Sequence, residues 1–164
     1  MDFIYQSERF ADLQLLRYHL NGFEKLSLRQ KIFIFYLAQA TLFGRDIIFD
    51  QNGKYNLLIR KALETVYTDA YISHDTDEFR ALEVYLKRIW FSNGIYHHYG
   101  CEKFEPGFSE QFLEDAFKKV DSSKLPFGKE ISSLEALCRK IWPAIFDATY
   151  MPKRVNKADC EDLV

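Results

Sequence analysis

The residues whose types and spacing invite chemistry lie in one stretch, WFSNGIYHHYGCEKF, residues 90 to 104. It holds His97 and His98 side by side, with Cys101 three positions after the second. Imidazole and thiolate bind zinc, and a cysteine paired with a histidine can act as a nucleophile. Both roles require convergence in space. Neighbours in a helix or strand point in different directions, so His97, His98 and Cys101 could share an ion only in an irregular loop, with a fourth ligand from afar. The helical His-Glu-x-x-His arrangement of zinc hydrolases does not occur. A thiolate–imidazole pair needs hydrogen-bond reach and an orienting third group, which closeness in sequence does not supply. GxSxG, Walker and GxGxxG motifs are also missing. The expectation is therefore no metal at this cluster, with one histidine packed among Tyr96, Tyr99 and Phe104 and the other solvated. The Gly44-Arg45-Asp46 string is read as a structural or solvated ion pair.

The elements around this stretch are mostly helical. Ser27-x-x-Gln30 is a capping box opening a helix over about residues 28–43, apolar almost all round from Ile32 to Phe43, which predicts burial on several sides. A second helix over 55–67 carries Leu58, Ala62 and Val66 on one face. The clearest helix spans 77–91, capped by Asp75 or Thr76, with Phe79, Leu82, Leu86 and Ile89 as its buried stripe. Asn93-Gly94 ends it. Ser109 caps a helix over 110–119, and a Ser132-x-x-Glu135 box opens the last, over 133–146, which Pro143 kinks or ends. Residues 10–20 alternate as a strand, Leu13 and Leu15 on one face, and a shift of phase at Leu16 predicts a bulge. A second short strand is expected near residues 95–100. The fold class is mostly α with a minor β component (α+β), in a single domain or partial domain over 1–164.

Composition narrows the function classes. The 164 residues carry 22 basic and 24 acidic side chains, a net charge of −2, with no basic run, so nucleic acid is not an expected partner. Aromatic residues form 16% of the chain, which suits a bulky core, an interface or a cleft that stacks on its ligand. Cys101, Cys138 and Cys160 lie far apart without metal spacing and read as reduced thiols. The N-terminus shows no basic and apolar leader, and the longest apolar run, residues 32–38, is too short to span a bilayer. A soluble chain without a membrane partner is expected, cytoplasmic as it stands and periplasmic if an export signal has been removed.

Four strings, taken in order, resemble the N-terminal region of bacterial dipeptidyl peptidase III of the Bacteroides type. They are ERFADLQLLRYHLNGFEKLSLRQK, GRDIIFDQNGKYNLLIRKALE, VYLKRIWFSNGIYHHYGCEKFEPGFS and FDATYMPKRVNKADCEDLV, which together run along nearly the whole chain. The family's usual string at the histidines is NGIHHHYS; here Tyr96 and Gly100 replace its first histidine and its serine. The resemblance implies a two-lobed zinc exopeptidase that releases dipeptides from the N-termini of short peptides, held as an extended strand between the lobes. Its zinc ligands come from a His-Glu-x-x-x-His helix and a downstream glutamate, the motif glutamate serving as general base. That motif does not occur in this sequence. The chain is accordingly expected to supply mainly lower-lobe structure, helices packed with a small sheet, with no catalytic or zinc-binding residue of its own. It would be inactive alone and have the remainder of the peptidase as partner. The Trp90-Phe91-Ser92 string is similar to one near the peptide cleft in the eukaryotic branch, so Phe91, Ser92, Asn93 and Gly94 are carried as cleft candidates beside their reading as a helix end and its cap. The alternative is a non-catalytic helical interaction module that keeps the peptidase scaffold.

Overall fold

The computed structural model describes residues 3–153; the tail read as a surface segment, Cys160 included, lies outside them. The described residues form a mostly helical fold with one two-stranded antiparallel sheet. The chain divides into two compact units, Met1–Ile48 and Phe49–Val164.

In the first unit, β1 (Gln6–Phe10) and β2 (Leu13–Leu16) form a hairpin. The sequence reading had one strand over 10–20; instead the chain turns at Ala11-Asp12, Ala11 taking a positive φ of 47°. The irregularity falls on β1, between Gln6 and Arg9, because three steps there oppose two from Leu16 to Gln14. The change of apolar phase at Leu16 therefore marks the end of β2 rather than its bulge.

The helix α1 (Leu28–Leu42) starts where the capping box says: the Gln30 N–H donates to Ser27 Oγ, and the Ser27 N–H donates to Gln30 Oε1 at 2.9 Å. Its environment differs from expectation. No residue of α1 is buried, and Ile32, Phe33, Ile34, Phe35, Tyr36 and Leu37 are all exposed. A helix apolar all round has no preferred face to turn inward, and the short hairpin of its own unit has little surface with which to cover it. After a turn at Phe43-Gly44 the helix α2 (Arg45–Gln51) follows at once. Gly44 thus joins two helical pieces rather than ending one. The combined stretch Leu28–Gln51, 24 residues, is long and apolar enough to cross a membrane by length and composition, which a core helix can also be. Counting only residues 32–38 understated that reach.

The second unit has a single core. Four helices supply most of it, α3 (Asn56–Thr68), α4 (Asp77–Ser92), α5 (Glu110–Lys119) and α6 (Leu134–Phe146), joined by Phe49 of α2 and by loop residues such as Ile95 and Phe108. The helices α3 and α4 pack on each other, as do α5 and α6. On α4 the stripe Phe79, Leu82, Leu86 and Ile89 is fully inside, together with Tyr85. On α3 the most buried line is Ile59, Leu63 and Val66, with Ala62 beside it, while Leu58 is only partly covered, so the face is turned by about one residue from the sequence reading. Thr76 Oγ1 caps α4 by accepting from the Phe79 N–H, and Ser109 caps α5. The cap of α6 is Ser133, not Ser132: its Oγ accepts from the Ala136 N–H at 3.1 Å. Pro143 does not end α6, which continues to Phe146. Near residues 95–100 the pairing is reduced to one bridge, Tyr96 with Lys103, because the chain reverses within a few residues.

Candidate functional site

The candidate cleft residues close α4. Asn93 adopts the left-handed conformation (φ 55°, ψ 36°), and the N–H groups of Asn93 and Gly94 both donate to the Ile89 carbonyl. This end satisfies a carbonyl that the last turn would otherwise leave bare. Phe91 is exposed and sets its ring edge-on to His98, with centroids 4.8 Å apart. Ser92 and Gly94 are buried and Asn93 half-buried. Of the four candidates, Phe91 is the most exposed; the others belong to the turn that ends the helix.

What holds this turn is a pair of asparagines that the sequence reading did not single out. Asn52 Nδ2 donates to the carbonyls of Ser92 and Asn93, at 3.3 and 3.0 Å. Asn56, 1% exposed, accepts from the Ile95 N–H through Oδ1 at 3.3 Å. The Asn56 amide lies so close to Gly94 that a Cβ there would come within 2.3 Å of Nδ2, and one at Gly53 within 2.6 Å. Two glycines and two asparagines thus clip the entry of α3 to the exit of α4. The clip joins GRDIIFDQNGKYNLLIRKALE to WFSNGI, two strings that carry the family resemblance. An Asn-Gly pair is read from sequence as a turn, and nothing in it announces which distant carbonyls the asparagine will meet. Asn56 Nδ2 and Ser92 Oγ are buried and find no hydrogen-bond partner among the described residues. The Trp90 indole N–H adds a further tie between the two helices by donating to Glu64 Oε1 at 2.8 Å.

Beyond Ile95 the chain folds back on itself. The His97 N–H donates to the Glu102 carbonyl and the Phe104 N–H to the Ile95 carbonyl, both at 2.8 Å. Inside this tight reversal the His97 and His98 rings stack with centroids 4.4 Å apart. Expecting them to point apart assumed regular backbone, and the reversal removes that assumption. Both are half-buried, so the division into one packed and one solvated histidine does not hold. Phe104 packs edge-on to His97, Tyr99 lies against His98 and is itself 90% exposed, and His97 Nδ1 accepts from the Tyr99 N–H. Cys101 and Cys138 are free thiols. Burial pushes the Cys138 thiol up, and the Glu114 carboxylate adds to the effect.

Among the described residues no group of three or more His, Cys, Asp or Glu is arranged to hold a metal ion. None of the described residues is arranged as the zinc site that the resemblance places in another part of the peptidase. Compared with protein-family models and with curated proteins, the chain finds no match. What the arrangement can do by itself is hold an aromatic edge, Phe91 with His98 and Tyr99, at the rigid end of a core helix.

Proposed function

We propose that this chain is the N-terminal portion of a zinc-dependent dipeptidyl peptidase, one that releases dipeptides from short peptides and draws its zinc and its catalytic residues from elsewhere. The four ordered strings suggest the family. The observation that carries the reading of a part within a larger body is α1, whose apolar side chains are exposed around the whole helix. Exposed apolar surface on this scale is costly in water and normally belongs to an interface. On this reading the remainder of the peptidase covers α1, the second unit gives the lower lobe a rigid helical base, and Phe91 borders the peptide cleft. The protein would work in the cytoplasm, or in the periplasm behind an export signal.

A protein carrying this segment together with the catalytic lobe is expected to cleave dipeptidyl arylamides and to lose that activity to a chelator. The 164-residue chain alone should do neither. Hydrolysis by the isolated chain, or a longer protein that is inert with zinc supplied, would overturn the proposal. The continuous core of the second unit favours the other reading, a helical interaction module that stands by itself. That module should be monodisperse, which the bare α1 argues against; sedimentation of the chain as a clean monomer would move the module to the front.

A further inference from the structure

Asparagine is followed by glycine three times in this chain, at Asn21-Gly22, Asn52-Gly53 and Asn93-Gly94. The pair carries chemistry of its own. The amide nitrogen of the glycine can attack the asparagine Cγ and expel ammonia, because the glycine has no side chain to obstruct the approach. The fold treats the three pairs very differently.

Two of them belong to the clip. The Asn52 amide donates to the carbonyls of Ser92 and Asn93, and Gly53 is crowded by Asn56. Cyclisation there would have to pull the amide off both carbonyls. At Asn93-Gly94 the nucleophile itself is engaged: the Gly94 N–H donates to the Ile89 carbonyl at 3.1 Å, and Asn56 crowds Gly94 as well.

Asn21-Gly22 lies in the other unit, on the connection from β2 to α1, and Asn21 is exposed. The Phe23 N–H donates to the Leu20 carbonyl, and Gly22 at φ 89° and ψ −6° completes a type II turn. Neither this bond nor the one from the Lys25 N–H to the Gly22 carbonyl occupies the Gly22 N–H. Among the described residues nothing comes within 4 Å of where a Gly22 Cβ would stand, so this glycine is uncrowded. The second observation is His19. Its Nδ1 lies 2.8 Å from Asn21 Oδ1, and because an amide oxygen only accepts, Nδ1 carries the proton. The ring is set edge-on to Phe3, with centroids 5.4 Å apart. A donor on that oxygen meets the negative charge that develops there as the nitrogen attacks, as an oxyanion-hole donor does.

We propose that Asn21-Gly22 is a self-modification site, at which His19 assists conversion of Asn21 to aspartate and isoaspartate. The Gly22 nitrogen attacks Asn21 Cγ while Oδ1 takes the electron pair under the His19 N–H. The bond from Cγ to the side-chain nitrogen then breaks, and ammonia leaves with the proton lost by the Gly22 nitrogen. Water opens the resulting succinimide. Attack at Cγ gives aspartate; attack at the main-chain carbonyl gives isoaspartate and lengthens the chain by a methylene. Either product puts a carboxylate beside His19, and isoaspartate extends the connection leading to α1. The inference is drawn from the turn alone and stands whether or not the chain belongs to a peptidase.

Incubating the folded full chain at neutral pH, with peptide mapping by mass spectrometry at intervals, tests it. Aspartate and isoaspartate are expected at position 21 about tenfold faster than at 52 or 93, the scale set by the hydrogen bonds that the clip must first break. In concentrated urea the three rates should converge, since the difference belongs to the fold. His19→Phe, at an exposed position, keeps a ring beside Phe3 and removes the N–H. It should slow conversion at Asn21 about five- to tenfold, the kinetic equivalent of one hydrogen bond, and leave Asn52 and Asn93 unchanged. Conversion at Asn21 no faster than at the other two pairs in the folded chain overturns the proposal. So does an undiminished rate at Asn21 in His19→Phe.

Discussion

The helices α1 and α4 are nearly the same length, 15 and 16 residues, and their fates are opposite. The more apolar of the two, α1, buries nothing, whereas α4, with charged residues through its length, buries Phe79, Leu82, Tyr85, Leu86, Ile89 and Ser92. Pattern, not content, decides. On α4 the charges Glu83 and Lys87 pair with each other at 2.6 Å along a partly exposed flank, leaving one continuous stripe to meet α3. On α1 the apolar residues surround the helix, so its own sequence singles out no face to turn inward.

The widest test of this difference is a matched truncation. Leu86→Ala removes a fully buried side chain from the core of the second unit and should cost about 2–5 kcal/mol, the usual range for a leucine cavity. Chemical denaturation of the purified variant reads this directly. If Leu86→Ala costs no more than an exposed substitution, the packing of the second unit is not what holds it.

Next in size is the clip. Gly94→Ala places a Cβ 2.3 Å from Asn56 Nδ2, at a φ of 156° that side chains rarely adopt, and should cost about 1–3 kcal/mol. Asn56→Ala should cost about 1–3 kcal/mol by another route, leaving the Ile95 N–H without its acceptor. The double variant separates clash from strain. Relief of the clash should make its cost less than the sum of the two, and strict additivity would mean that the two residues do not meet.

Much of the helical structure was legible beforehand because its signals are local and periodic. The stripe on α4, the box at Ser27 and the cap at Ser109 each depend on residues within two turns of one another. The misplaced features depend on something else. Ser132 and Ser133 offer the same chemistry one residue apart, and only the path of the incoming chain decides between them. The hairpin was missed because β1, QSERF, is mostly polar and exposed and so carries no apolar alternation. Phe91, Ser92, Asn93 and Gly94 were singled out from resemblance, yet Asn52 and Asn56, which hold the turn there, lie about forty residues away, where no periodicity reaches. Stacking of His97 on His98 is likewise a property of the reversal, fixed by hydrogen bonds to Glu102 and Ile95 rather than by the pair itself.

The smallest expected effect sharpens the comparison most. Phe35→Ser on α1 changes an aromatic ring that is 57% exposed, so stability of the isolated chain should move by no more than about 0.5 kcal/mol. On α4 a comparable loss of apolar area should cost about 2–5 kcal/mol. Self-association should respond in the opposite sense: if the bare helix is what other surfaces cover, Phe35→Ser should lower the tendency of the chain to aggregate, measured by light scattering against concentration. Restoring the covering surface in a longer protein should then turn the same substitution into a costly one, about 2–4 kcal/mol, because the ring becomes buried there. A neutral effect in both contexts would mean that α1 stays uncovered in the whole molecule, and the peptidase reading would lose the observation that carries it.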